Sequence, residues 1–220
     1  MWFRSHYGQA LTPNLNEGCI TVMKISAYYP NYFYNAAIPG AAYHILRGMQ
    51  SRGNQLELMG TASIAEFNDK FYKNVIPQWA KSIVYRVLPS QVIVNISNWA
   101  YCKTVKKDDV VYLWPGVQLA IYQRLKNRGC KIIYECVNTH EAHSKVILDK
   151  AYSKLNLPLT HGVTEEKVIE ESAKLELADY IFSCSPIMTQ SMLSNGISPH
   201  KLLQTSYGLG QKSMIDGVYS

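Results

Sequence analysis

Charge is scarce in this chain. Only 17% of its 220 residues are Asp, Glu, Lys or Arg, against about 25% in ordinary soluble domains. Glycine and proline are few as well, 13 and 9, which excludes collagen-like and linker-like architectures. No apolar run approaches the ~20 residues that a membrane-spanning helix needs. Hydrophobic residues nevertheless make up 47%. That is enough to bury a core and, at so little charge, too many for a chain that stays disordered. At roughly 150 residues per domain, the length fits one to two domains.

Paired cysteines are missing too. Cys19, Cys102, Cys130, Cys136 and Cys184 include no Cys-x-x-Cys spacing. An odd, scattered set argues against a disulfide framework or a zinc site and fits a reducing, cytoplasmic compartment. Cys130 and Cys136 bracket a predicted buried strand, where a free thiol behaves as a small hydrophobe. The first 22 residues lack the apolar stretch of a signal peptide. They read as an irregular extension, 1–22, ahead of a first strand that begins near Met23.

The formal net charge is +6, a mild basic excess that predicts no nucleic-acid partner. Lys103, Lys106 and Lys107 form the one local cluster, with Asp108 and Asp109 directly behind. The cluster reads either as a solvated loop or as a weak contact for an anionic membrane or phosphate. Tyrosine is abundant, at 16 residues. Tyr28, Tyr29, Tyr32 and Tyr34 crowd one segment and suggest a wet, aromatic-lined surface rather than core.

From Met23 onward, short apolar runs alternate with helical periodicity. Strands are predicted at 24–28, 55–59, near 75–76, and at 110–114, 131–137, 179–183 and 201–205. Helices are predicted at 40–52, 77–88, 117–128, 141–155, 164–178 and 186–195, with Gly53 and Gly129 as stops and Thr164 as an N-cap. Residues 89–103 fit strand or helix equally. The alternation predicts an α/β fold with a doubly wound, mostly parallel, Rossmann-like sheet and helices on both faces. Ligands of such sheets bind beyond the carboxyl ends of the strands, which selects the loops after Tyr28, Trp114, Val137, Ser183 and Thr205.

Three constellations lie there. Pro39-Gly40-Ala41-Ala42-Tyr43-His44 places small residues at a helix start, where backbone N–H groups can approach an anion. It is not Gly-x-Gly-x-x-Gly, and the chain has no Gly-Lys-Ser/Thr, so neither a dinucleotide fingerprint nor a P-loop is present. The second, Glu135 to His143, contains Asn138, Thr139 and His140 where a catalytic base or substrate clamp would stand. His140 and His143 are three apart, one short of the spacing a zinc-binding helix uses, so no metal is expected. The third is Ser206-Tyr207-Gly208-Leu209-Gly210, which reads as a ligand-facing loop or a domain exit. No Gly-x-Ser-x-Gly frames Ser185 as a nucleophile.

Taken in order, these residues resemble the N-terminal half of a family 4 glycosyltransferase of the GT-B fold. The densest stretch is Glu171, Leu177-Ala178-Asp179-Tyr180-Ile181-Phe182, Ser185, Gly196-Ile197, Lys201-Leu202 and Tyr207-Gly208. A second is Pro39-Gly40-Ala41 with Leu46 and Arg52-Gly53-Asn54-Gln55-Leu56. There are departures. Ala41 replaces the family's second loop glycine, and Gly210 stands where the family has Asp. His140 lies slightly later than the family's histidine.

The resemblance implies a retaining, metal-independent transferase of bacterial type. It would move a sugar from a nucleotide sugar to a sugar or lipid-linked acceptor, with no cofactor beyond that co-substrate. It implies His140 as the catalytic residue, Asn138, Thr139, Tyr32 and Tyr34 toward the acceptor, and Gly40 and Ala41 as the donor-phosphate loop. Ser206, Tyr207 and Gly208 would line the interdomain crevice. Residues 23–210 would be the N-terminal domain and 211–220 the start of a linker or tail. The donor-binding C-terminal domain is absent from these residues, so the chain alone is expected to be inactive. Its place would be cytoplasmic, with peripheral contact at the inner membrane face left open. The alternative is a non-catalytic acceptor-binding or interaction subunit completed by a separate donor-binding chain.

Overall fold

The computed structural model describes residues 24–34, 36–64 and 69–206. Residues 1–22, the expected extension, and the expected tail from 211 onward lie outside these. Seven strands form one sheet: β1 (Lys24–Phe33), β2 (Gln55–Ser63), β3 (Tyr72–Asn74), β4 (Val110–Leu113), β5 (Lys131–Cys136), β6 (Tyr180–Ser183) and β7 (Leu202–Gln204). Their spatial order is β3-β2-β1-β4-β5-β6-β7, and every neighbouring pair is parallel. The order reverses between β1 and β4, so the topological switch point, where such sheets bind ligands, lies at their carboxyl ends.

Among the described residues, seven α-helices connect the strands: α1 (Ala37–Ser51), α2 (Lys81–Val87), α3 (Ser90–Thr104), α4 (Leu119–Lys126), α5 (Glu141–Lys154), α6 (Glu165–Leu177) and α7 (Pro186–Ser194). Side chains alternate across the strands and separate two apolar cores. One gathers Tyr28, Val111, Leu113, Ile132 and Ile181 with Tyr101 of α3, Tyr122 and Leu125 of α4, Leu175 of α6 and Met188 and Met192 of α7. The other joins Ile25, Ala27, Tyr29, Tyr112 and Trp114 to Ala42, Tyr43 and Leu46 of α1. Helices thus pack on both faces, as the alternation predicted.

The ambiguous segment at 89–103 is helical. Ile93, Ser97 and Tyr101 recur four apart and are buried. Burying that stripe outweighs the strand preference of Val92, Ile93, Val94 and Ile96. The tyrosine crowd divides, and half of it is core. Tyr28 is fully buried and stacks on Tyr101 at 4.4 Å between ring centroids. Its hydroxyl donates to Asn98 Oδ1 at 2.8 Å. Tyr29 is buried on the opposite face. Both lie on a central strand with neighbours on each side, which leaves no wet face there. Only the far end of β1 emerges, with Tyr32 half-buried and Tyr34 exposed.

Candidate functional site

Beyond the carboxyl ends of β1, β4, β5 and β6 lie four loops. The first follows a register shift between Tyr29 and Tyr32, a bulge that re-aims the end of β1. Thr61 Oγ1 ties it down by donating to Pro30 O at 2.9 Å. Lys81 Nζ donates to Tyr32 OH at 2.9 Å and to Ser63 O at 3.2 Å. Its ammonium also sits 5.3 Å from the Tyr32 ring centroid, within cation–π range. Tyr32 is therefore a fixed wall, whereas Tyr34 is 41% exposed.

Across the switch point, the loop after β4 turns at Gly116, φ +94. A Cβ there would come 3.2 Å from Pro30 Cγ and 3.3 Å from Asn31 Nδ2. A glycine is required on both counts, backbone and space, and the two loops touch because of it.

Helix α1 begins three residues earlier than its composition suggested. Ala37 opens it at φ +49, a left-handed conformation that costs an alanine about 1 kcal/mol. Gly40 N–H bonds Ala36 O at 3.1 Å. Gly40 and Ala41 therefore lie inside the helix, buried and half-buried respectively. The amides without an intrahelical acceptor are those of Ala37 and Ile38, since Pro39 has no N–H. An anion at this helix start would meet those two amides, one turn ahead of Gly40 and Ala41.

The third loop carries Asn138, exposed, Thr139, half-buried, and His140, 2% exposed. Thr139 Oγ1 shares a hydrogen bond with Ser144 Oγ at 2.8 Å. His140 is the N-cap of α5, with Nδ1 accepting the Ala142 amide at 3.1 Å. Its own backbone N–H donates to Ser191 Oγ of α7 at 3.0 Å. Glu171, from α6, accepts the next amide, Glu141 N, at 2.5 Å, and its Oε2 lies 3.6 Å from His140 Nδ1.

This is not a charged pair. Burial holds the His140 imidazole below its ordinary pKa, helped by nearby His143. Burial also pushes the Glu171 carboxyl up to about 7, against the lowering effect of its bond to the Glu141 amide. With Nδ1 accepting, the neutral ring carries its proton on Nε2. That Nε2 has no hydrogen-bond partner among the described residues. A buried N–H left so costs about 1–3 kcal/mol, which a bound acceptor would relieve. The Cys136 thiol, pushed up to about 12 mainly by burial, is no nucleophile here.

After β6, Ser185 is the N-cap of α7 and accepts Met188 N at 3.3 Å, a structural task. Ser206 is exposed beyond β7; Tyr207 and Gly208 lie outside the described residues. Two other residues of the resemblance also do structural work. Asp179 Oδ2 receives Lys126 Nζ at 2.7 Å and Ile132 N at 2.8 Å. Lys201 Nζ donates to the last carbonyls of α6, Leu175 O and Glu176 O.

Asn138, Thr139 and His140 share one loop as consecutive residues, and what the fold brings to them is Glu171 and Ser191. Tyr32 and Tyr34 stand two strands away, at about 5 Å per strand spacing. Glu171 enters the sequence reading only as a residue of the resemblance, with no role, and Ser191 not at all, because each reaches the α5 start from a distant helix. Among the described residues, no three His, Cys, Asp or Glu side chains converge where a metal could bind.

No protein-family profile matches the chain, and no curated protein does. Among solved structures, it is similar to the UDP-GlcNAc 2-epimerase of Methanocaldococcus jannaschii, at 13% sequence identity and a TM-score of 0.50. The match covers 83% of this chain and 45% of that one. What is shared is the Rossmann-like α/β fold. The chain spans less than half of the epimerase's length, and at this identity the likeness extends to the fold alone.

Proposed function

We propose that this chain is the acceptor-side half of a GT-B glycosyltransferase, transferring a sugar from a nucleotide sugar to an acceptor. Two independent lines support the reading. The succession of residues from Glu171 to Gly208 resembles family 4 glycosyltransferases, and the GT-B-like epimerase acts, by its name, on a nucleotide sugar. The observation that carries it is His140, a neutral imidazole in the loop after β5 whose buried Nε2 has no partner among the described residues.

In this reading the bond between the sugar's anomeric carbon and the diphosphate breaks. A new bond to the acceptor oxygen forms on the same face, and the acceptor's proton leaves with the diphosphate. His140 Nε2–H donates to a sugar oxygen and orients it. Of the two roles its position suggested, catalytic base or substrate clamp, a proton on Nε2 favours the clamp, with His140 as a donor. The free amides of Ala37 and Ile38 receive the leaving diphosphate, aided by the positive end of α1, with Gly40 and Ala41 packing the turn behind them. Tyr32, Tyr34, Asn138 and Thr139 face the acceptor, and Ser206, Tyr207 and Gly208 lead to the donor-binding domain. No metal takes part.

The test is a transfer assay of the full-length protein against a panel of nucleotide sugars in the presence of a chelator, with the product anomer read by NMR. Chelator-insensitive transfer with retention supports the reading. Inversion or metal-dependent transfer refutes that mechanism, and epimerisation without transfer refutes the transferase.

A further inference from the structure

Helices α2 and α3 carry apolar side chains on the wrong side. Helix α2 buries no residue at all. On and just ahead of it, Trp79, Ile83 and Val87 recur four apart and are 82%, 64% and 67% exposed. Helix α3 uses one face for the core, yet Val92, Ile96 and Trp99 follow at helical spacing on the other and are 39%, 42% and 59% exposed. The two helices are joined by Leu88-Pro89 and pack on each other. Two adjacent apolar stripes, each with a tryptophan, exceed the scattered hydrophobics that a monomer's surface normally shows.

Helices α2 and α3 themselves carry Lys81, Arg86 and Lys103 and no Asp or Glu, although Lys73 ahead of them is paired with Glu57 and Asp108 and Asp109 follow Lys107. From Lys70 to Lys107 the sequence contains seven Lys or Arg and no Asp or Glu, although the whole chain holds 16 acids. Arg86 ends α2 and Lys103 ends the α3 stripe, its ammonium 5.5 Å from the Trp99 ring centroid. An open cavity of about 540 Å³ continues past the foot of α3, lined in part by Lys103, Lys107 and Arg128.

We infer that the α2–α3 face docks on an anionic lipid surface. Tryptophans and β-branched residues enter the headgroup–acyl boundary, and Arg86, Lys103 and Lys107 meet the headgroups. The charge complementarity favours lipid over a second copy of this equally basic chain. The face also adjoins the crevice. Tyr85 of α2 packs edge-on against Tyr32 at 6.1 Å, and Lys81 bonds the same tyrosine. An acceptor embedded in the bilayer would therefore arrive beside the β1 loop. Docking itself does not depend on what group is transferred, so vesicle binding can fail while the transferase stands, and the reverse.

The experiment is co-sedimentation of the 220-residue chain with phosphatidylcholine vesicles, with and without phosphatidylglycerol. Tryptophan emission is read in parallel, since Trp79 and Trp99 are exposed whereas Trp114 is buried. Binding to the anionic vesicles with a blue shift, weakened by salt, is expected. Ile83→Asp with Ile96→Asp should lower binding at least about tenfold, since each substitution also removes a buried aliphatic group from the bilayer. Lys103→Glu and Lys107→Glu should lower it about fivefold per lost cation, on the anionic vesicles alone. Unchanged melting temperatures exclude misfolding as the cause. Absence of vesicle binding, binding indifferent to these substitutions, or their abolishing self-association in light scattering instead would each overturn the proposal.

Discussion

His140 and Glu171 cap the first turn of α5 from two directions. The imidazole Nδ1 takes the Ala142 amide at 3.1 Å, and the carboxylate takes the Glu141 amide at 2.5 Å. The two acceptors lie 3.6 Å apart. Two acceptors at that distance repel unless a proton sits between or beside them, which agrees with a carboxyl that protonates near neutrality. The arrangement fixes the ring and leaves only Nε2 for chemistry.

The capping and donor roles of His140 separate by substitution. His140→Asn keeps an N-cap acceptor and should hold stability within about 0.5 kcal/mol of the capping optimum, apart from lost packing. His140→Ala loses the cap and should cost about 1–2 kcal/mol more. Chemical denaturation of the two variants side by side measures the difference. Equal stabilities would show that the cap contributes nothing.

Glu171 makes a pH signature. Its folded pKa, near 7, lies above the ordinary 4.5, so the native state holds a proton that the unfolded state has released. Its contribution is fully present below pH 4.5 and lost as pH rises through 7. Across that window, stability should fall by on the order of 1–3 kcal/mol through this group. Glu171→Gln still accepts the Glu141 amide and should flatten the slope. Denaturation at pH 5 and pH 8 for both proteins checks this, and parallel slopes would contradict it.

Two glycines should respond with opposite signs. Gly116→Ala must adopt φ +94 and press on Pro30 and Asn31. It should destabilise by about 1–3 kcal/mol and displace the β1 loop. Gly48 lies in α1, and an added Cβ there would meet nothing within 4 Å, so Gly48→Ala should stabilise by about 0.5–1 kcal/mol. Thermal melts of both variants decide the matter.

Asp179 couples α4, β5 and the start of β6. Burial alone would raise its pKa, but Lys126 and the Ile132 amide overcome that and hold it below 3.8. Its contribution is therefore present above pH 3.8 and lost as pH falls through the lowered value. Asp179→Asn should cost about 1–3 kcal/mol at pH 7 and soften the acid transition. In an acid titration followed by circular dichroism, an unchanged midpoint would rule this role out.

Much of the fold was legible. Val110–Leu113 and Lys131–Cys136 are short apolar runs closed off by Asp-Asp or Gly129, and Thr164 caps α6 as its sequence predicts. The start of α1 was not, because the left-handed Ala37 leaves no mark in composition and Pro39 reads as a turn although a helix tolerates it in the first turn. Nor could the tyrosines show that β1 continues to Phe33, paired with β4 as far as Tyr28 and with β2 to its end. At the site, the position of His140 after a buried strand was enough to single it out. Its partners Glu171 and Ser191 stand 31 and 51 residues away, and only packing of α6 and α7 on α4 and β6 brings them in.

The most direct test is nucleoside-diphosphate release by the full-length protein from a panel of nucleotide sugars, wild type beside His140→Asn. We expect acceptor-dependent release from at least one donor, lowered about tenfold or more in the variant by loss of the Nε2 donor, with the melting temperature little changed. Release that is undiminished in the variant, or absent for every donor from the wild type, would contradict the role assigned to His140 and the transferase with it.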